Sequence, residues 1–364
     1  AFPHITCELA CLPDERGTVS MRLFGAPATI RQDPWFIGLI SSLVVGKTLK
    51  GCGLTEEVQA FDRPAYEAGI PIVPPVTGSE MLREDVRIPM ADGHLNSARL
   101  FTPAVLESDE QLTPLVIYIH GGGWCLGNAL TQPYDSMCSS LSRQLNWRVL
   151  SINYRLAPEH PFPTPVEDVF DVLTWLADPA SQAVVPPSAD RQRVVLMGES
   201  AGANLAACAS LMWRDRQPQG VAVAHQVLFS PCLPTRPLRP SRTDPLRANG
   251  AFLPAWLMLW MEEQYAGSAM SVDELSRKAY ANPLAASTLA GMPPLTGVVG
   301  GAEGLLDEGV ELFEAVKAAG VDAEWREYEH GYHAFVILPI GQAPAAWAYA
   351  RERLQKSLVG SSSV

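Results

Sequence analysis

Apolar positions along the chain fall into two rhythms, short unbroken runs and longer stretches at helical spacing. PLVIYIH (114–120) and WRVLSINY (147–154) are continuous apolar runs, as a strand buried on both faces requires. RVVLMG (193–198), HQVLFS (225–230), PLTGVVG (294–300) and AEWREYE (323–329) also read as strands. VEDVFDVLTWLAD (166–178), AGANLAACASLMWRD (201–215) and the stretches 307–319 and 343–358 carry the helical period. Ahead of them, EDVRIPM (84–90) and NSARLFTP (96–103) flank the turn ADGH as a strand pair. Strands alternating with helices predict an α/β fold, a mostly parallel central sheet with helices on both faces.

Two regions depart from this rhythm. Residues 1–80 are helical in pattern without β-type alternation and end in the Pro/Gly-rich linker GIPIVPPVTGS (69–79). Between two predicted strands lies a Pro- and Arg-rich segment, 232–250, followed by the aromatic-apolar AFLPAWLMLWMEEQY (251–265). The expected organisation is a catalytic domain over 81–364 with a helical cap, built from residues 1–80 and a second segment at about 232–280.

Composition narrows the classes. With 47% hydrophobic and 18% charged residues among 364, a sizeable core can be buried and global disorder is excluded. A net charge of −12 argues against nucleic acid and against docking on anionic lipid. Seven scattered cysteines fit reduced thiols rather than a disulfide framework. His4, Cys7 and Cys11 lack the second ligand pair of a metal site, and no metal is expected. The run WFIGLISSLVVG (35–46) is too short to span a bilayer, and AFPHITCELACLP lacks the layout of a signal peptide. The expectation is a soluble, cytoplasmic protein without stable membrane insertion.

Three motifs carry chemistry. Gly198-Glu199-Ser200-Ala201-Gly202 joins a predicted strand to a predicted helix. A serine on such a tight turn is exposed at the sheet edge, with a helix N-terminus aimed at the reacting centre. The bland alternative is an ordinary helix N-cap. His120-Gly121-Gly122-Gly123-Trp124 follows a buried strand, and its glycines free backbone N–H groups to converge on an oxyanion. A dinucleotide loop would instead want glycine where Leu126 stands and a helix at once. Third comes YRLAPEHPFP (154–163).

Together, in this order and spacing, the three motifs resemble the hormone-sensitive-lipase-like family of esterases within the α/β-hydrolase fold, over roughly residues 84–358. The resemblance implies that Gly122, Gly123 and Ala201 form the oxyanion hole and that YRLAPEHPFP is a structural turn in which Arg155 pairs with Glu159. A serine nucleophile needs a histidine base and a carboxylate to hold it, in the chain order Ser, acid, His. His333 follows the last predicted strand and, unlike its neighbour His330, precedes the small residue and Phe of the family pattern. Glu303 follows strand 294–300 and stands where the family usually has Asp; Asp307 and Glu308 fall in the first helical turn, where the dipole alone favours acids. Glu199 reads as a hydrogen-bonding group behind the nucleophile, and Cys125 and Cys208 as packing residues. Trp124, Trp256 and Trp260 are candidate pocket residues; Trp35, Trp256 and Trp260 either line an apolar pocket beneath the cap or hold the cap together.

The leading expectation is therefore a serine carboxylic-ester hydrolase acting on small to medium, largely apolar esters, with no cofactor and with a homodimer as the family's common assembly. A second reading keeps the triad and passes the acyl group to another alcohol, or opens and closes lactones. A third, a ligand receptor on the same fold, is disfavoured because such receptors lose the histidine.

Overall fold

The computed structural model describes residues 81–106, 111–244, 247, 253, 255–337 and 341–359. The expected N-terminal cap segment 1–80, with Trp35, and the side chain of Trp256 lie outside them. The strands are β1 (Met81–Pro89), β2 (Leu95–Pro103), β3 (Thr113–Ile119), β4 (Arg148–Ile152), β5 (Ala189–Glu199), β6 (Val223–Phe229), β7 (Leu295–Gly300) and β8 (Ala323–Tyr328). They form one sheet in the order β1-β2-β4-β3-β5-β6-β7-β8. The pairs β1–β2 and β2–β4 are antiparallel, and every other pair is parallel.

The longer helices are α1 (Tyr134–Leu145), α2 (Thr164–Ala177), α3 (Ala201–Arg216), α4 (Ala255–Ala266), α5 (Leu306–Ala318) and α6 (Ala343–Leu358). Alternate residues of the central strands feed two cores. Leu115, Ile117, Ile119, Val194 and Leu196 pack with α2, α3 and α5 on one face. Val116, Tyr118, Val195 and Met197 pack with α1 and α6 on the other. Helix α3 is buried at every position from Ala201 to Trp213, so its small residues serve close approach to the sheet rather than a single apolar stripe. None of the helices among the described residues is long and apolar enough to cross a membrane.

Three local features differ from the sequence reading. Helix α1 was not anticipated, although Tyr134, Met137, Cys138, Leu141 and Leu145 form a buried stripe at helical spacing. Arg155 does not turn to Glu159. Its guanidinium and backbone N–H reach Asp168, at 2.6 Å for the Nη2–Oδ1 contact, and a second arm reaches Asp92 at 2.5 Å. Glu308, expected merely to favour a helix start, is fully buried and accepts from the buried Arg242 at 2.5 and 2.7 Å.

That ion pair belongs to the segment between β6 and β7. Arg242, on the helical turn Pro240–Thr243, also bridges to Glu262 of α4, and Arg236 holds the second oxygen of Glu262 at 2.8 Å. The inserted segment is thus fastened to α5 by charges enclosed in the fold.

Candidate active site

The strand order reverses between β3 and β5: β3 leads to β4 on one side, and the chain returns to β5 on the other. Open α/β sheets place their ligands at such a switch point, beyond the carboxyl ends of the strands. Here Ile119, the last residue of β3, pairs with Gly198 of β5, so the glycine loop and the Ser200 turn leave the sheet side by side. Glu199 pairs in turn with Phe229, the last residue of β6.

Ser200 sits at φ 56° and ψ −123°, a conformation L-residues rarely adopt, and α3 begins at the next residue. The turn is tight because its neighbours leave no room. A Cβ on Gly202 would lie 2.1 Å from the carbonyl oxygen of Ile119. The Ser200 N–H donates to Phe229 O at 2.9 Å, and its carbonyl accepts from Asn204 and Cys232.

His333 Nε2 lies 2.9 Å from Ser200 Oγ, and His333 Nδ1 lies 2.7 Å from Glu303 Oε2. A carboxylate facing Nδ1 keeps the proton there and leaves Nε2 to accept from the serine hydroxyl. All three side chains are buried. The other Glu303 oxygen, Oε1, accepts from the N–H of Gly300 at 2.7 Å and from Ser230 Oγ at 2.5 Å. Ser230 carries no sequence signal of this role: it is a single serine after a strand with no motif around it. Asp307 faces elsewhere, accepting from the Ser241 N–H at 2.7 Å. The competing His330 is exposed, and its N–H donates to Gln342.

The glycine loop is held from below. Glu199 Oε1 accepts from the Gly121 N–H at 2.6 Å and from Tyr134 Oη at 2.7 Å. Burial raises the Glu199 carboxyl above its ordinary range, against the opposing pull of these donors and of His333. His120 is buried against Tyr154, ring centroids 4.4 Å apart, and its Nδ1 lies 2.8 Å from Gly121 O. Burial lowers it to about 4, so it remains a neutral structural ring at physiological pH. Tyr154 Oη donates to His120 O at 3.0 Å, which gives the YRLAPEHPFP run a place beneath the loop.

Gly122 and Gly123 both adopt positive φ, 106° and 59°, conformations that favour glycine. Ala201 is the first residue of α3, so its N–H has no intrahelical acceptor. Trp124, a candidate pocket residue, packs directly beneath the glycine loop. It is fully buried, stacks on Tyr265 at 4.4 Å and donates from Nε1 to Asn204 at 3.3 Å, so it supports the loop from within. Trp260 is partly buried on α4. That helix meets the glycine loop and the Glu303 loop: a Cβ on Gly123 would lie 2.0 Å from Met261 Sδ, and Met258 packs beside Gly304. Among the described residues no three His, Cys, Asp or Glu side chains gather as metal ligands would.

Residues 116–337 match the family model of the alpha/beta hydrolase fold. The chain is 34% identical to the carboxylic ester hydrolase LipN of Mycobacterium tuberculosis over 265 residues, covering 72% of this chain and 66% of LipN. It is 32% identical to the esterase LipI of the same organism over 241 residues, 65% of this chain and 70% of LipI. Among solved structures, a hyperthermophilic esterase of the archaeon Pyrobaculum calidifontis superposes with a TM-score of 0.66 at 32% identity, covering 76% of this chain and 83% of that one.

Proposed function

The chain belongs to the α/β-hydrolase family, in its hormone-sensitive-lipase-like branch of carboxylic ester hydrolases, and we propose that it cleaves small to medium, largely apolar esters through an acyl-enzyme on Ser200. The observation that carries this reading is the continuous hydrogen-bonded path from Ser200 through His333 to Glu303 at the strand ends. Ser200 Oγ attacks the ester carbonyl carbon while its proton passes to His333 Nε2. The carbonyl oxygen, now negative, is met by the N–H groups of Gly122, Gly123 and Ala201, each such donor worth about 10²–10³ in rate. Collapse breaks the ester C–O bond, and the imidazolium returns its proton to the departing alcohol. Water then attacks the acyl-enzyme by the same route and releases the acid.

Residues of the inserted segment at about 232–280 form one side of the substrate cleft in this reading, with Trp260 exposed to the acyl chain. The contacts of α4 with Gly123 and Gly304 support it. Four described cysteines, all buried thiols outside any disulfide, support an intracellular setting.

Steady-state hydrolysis of a chain-length series of aryl esters by the parent and by Ser200→Ala tests the mechanism. The variant should fold normally by circular dichroism and lose at least about three orders of magnitude in kcat. Retention of more than about a tenth of the activity would rule out the serine route.

A further inference from the structure

The two oxygens of the Glu303 carboxylate have separate work. Oε2 faces His333, while Oε1 is gripped by donors from two neighbouring strand ends: the N–H of Gly300, last residue of β7, and the hydroxyl of Ser230, first residue after β6. Glutamate has one more rotatable bond than the aspartate usual at this position, so an unpinned carboxylate would swing away from the imidazole. Gly300 alone fixes one contact point and leaves rotation about it. A second donor on the same oxygen, at 2.5 Å, removes that freedom.

Ser230 is itself held in an unfavourable state for this purpose. Its φ is 44°, a left-handed conformation that glycine would adopt without strain, and its N–H donates to Val298 O at 2.7 Å. It is 3% exposed, so water does not compete for the hydroxyl. Glycine would fit the backbone better but would bring no hydroxyl. We infer that Ser230 is a positioning residue of the esterase reaction, setting the Glu303 carboxylate at the angle that keeps His333 oriented toward Ser200. The inference rests on the reading of Glu303 as the triad acid.

The test uses the full chain with Ser230→Ala, Ser230→Gly, Glu303→Gln and the double variant Ser230→Ala/Glu303→Gln, measured on p-nitrophenyl butyrate alongside thermal melts. Ser230→Ala keeps the backbone strain and Ser230→Gly relieves it, so the pair separates the hydroxyl from the conformation. Both single variants should lower kcat by about 10- to 100-fold with KM within about twofold, the size expected when a reacting group is slightly misplaced. Adding Ser230→Ala to Glu303→Gln should change kcat by less than about twofold, because no ion pair is left to position. Parent-like kcat in either Ser230 variant beside a crippled Glu303→Gln would overturn the inference while leaving the acid in place. Losses that multiply in the double variant would overturn it too, by showing that Ser230 acts independently of the carboxylate. An active Glu303→Gln would overturn the acid assignment itself and the inference with it.

Discussion

Arg242→Met removes the guanidinium that joins two buried carboxylates. Glu262 keeps Arg236 at 2.8 Å, but Glu308 keeps the Leu233 N–H at 2.6 Å in place of a full ion pair. Methionine replaces most of the stem, so the loss is electrostatic rather than a cavity. Breaking a buried pair on one side costs about 3–5 kcal/mol. At about 2 °C per kcal/mol, suited to a chain of this length, the melting temperature should fall by about 6–10 °C at neutral pH. The pH dependence is the sharper test. Burial already pushes Glu308 up to about 7 with Arg242 beside it, against an ordinary 4.5, and loss of the cation pushes it higher. A carboxyl raised in the folded state contributes stability that is full below its unfolded value and is lost as pH rises through its folded value. At pH 6 Glu308 is largely protonated in both proteins and the deficit is smallest. Above about 7 the parent ionises against Arg242 while the variant retains its proton, and the deficit should widen by about 1.4 kcal/mol per pH unit. Thermal melts by circular dichroism at pH 6, 7, 8 and 9 measure this, and Arg242→Met/Glu308→Gln should recover much of the loss at pH 9. Melting within 2 °C of the parent throughout, or a deficit that widens toward acid, would refute the reasoning.

Two further outcomes follow from the same contacts. Trp260→Ala should shift the preferred acyl length on the aryl-ester series more than it lowers the melting temperature; an early melt with unchanged preference would make this ring a packing residue. Asp307→Asn should leave kcat within about twofold and cost about 1 kcal/mol, since its carboxylate serves the Ser241 N–H rather than His333, and a large fall in kcat would contradict that geometry.

The parts of the fold legible from the chain were those whose signal is local. A strand buried on both faces is mostly apolar, so β3 to β7 stand out as short apolar-rich runs, even though β4 buries Arg148 and Ser151 and β6 buries His225 and Gln226. Ser200 and Glu303 could each be proposed because each follows such a run, and His333 because it follows the last strand, β8, and precedes the small residue and Phe of the family pattern. Helix α1 carried an equally local stripe at 134, 137, 138, 141 and 145, but four serines among its twelve residues, poor helix formers that favour turns, masked it. The remaining discrepancies are non-local. Arg155 was given the acid nearest in sequence, whereas the fold supplies Asp168 from α2, where a fully buried carboxylate needs a cation. Trp124 stacks on Tyr265, a partner from the segment between β6 and β7 that no local pattern signals.

Arg242 and Glu308 mark the limit of such reading most clearly. A Pro- and Arg-rich stretch read as part of a cap gives no sign that one of its charges is enclosed, because an isolated charge is rarely buried. What allows enclosure here is a partner 66 positions away and another 20 positions away, neither of which any local pattern signals. The same holds for Ser230 and Glu303, 73 positions apart yet meeting because β6 and β7 are neighbours in the sheet. In this chain the proposed nucleophile and acid are tied to strand ends, which periodicity locates. The groups that hold them at their angles come from strands and segments that only the sheet order brings together.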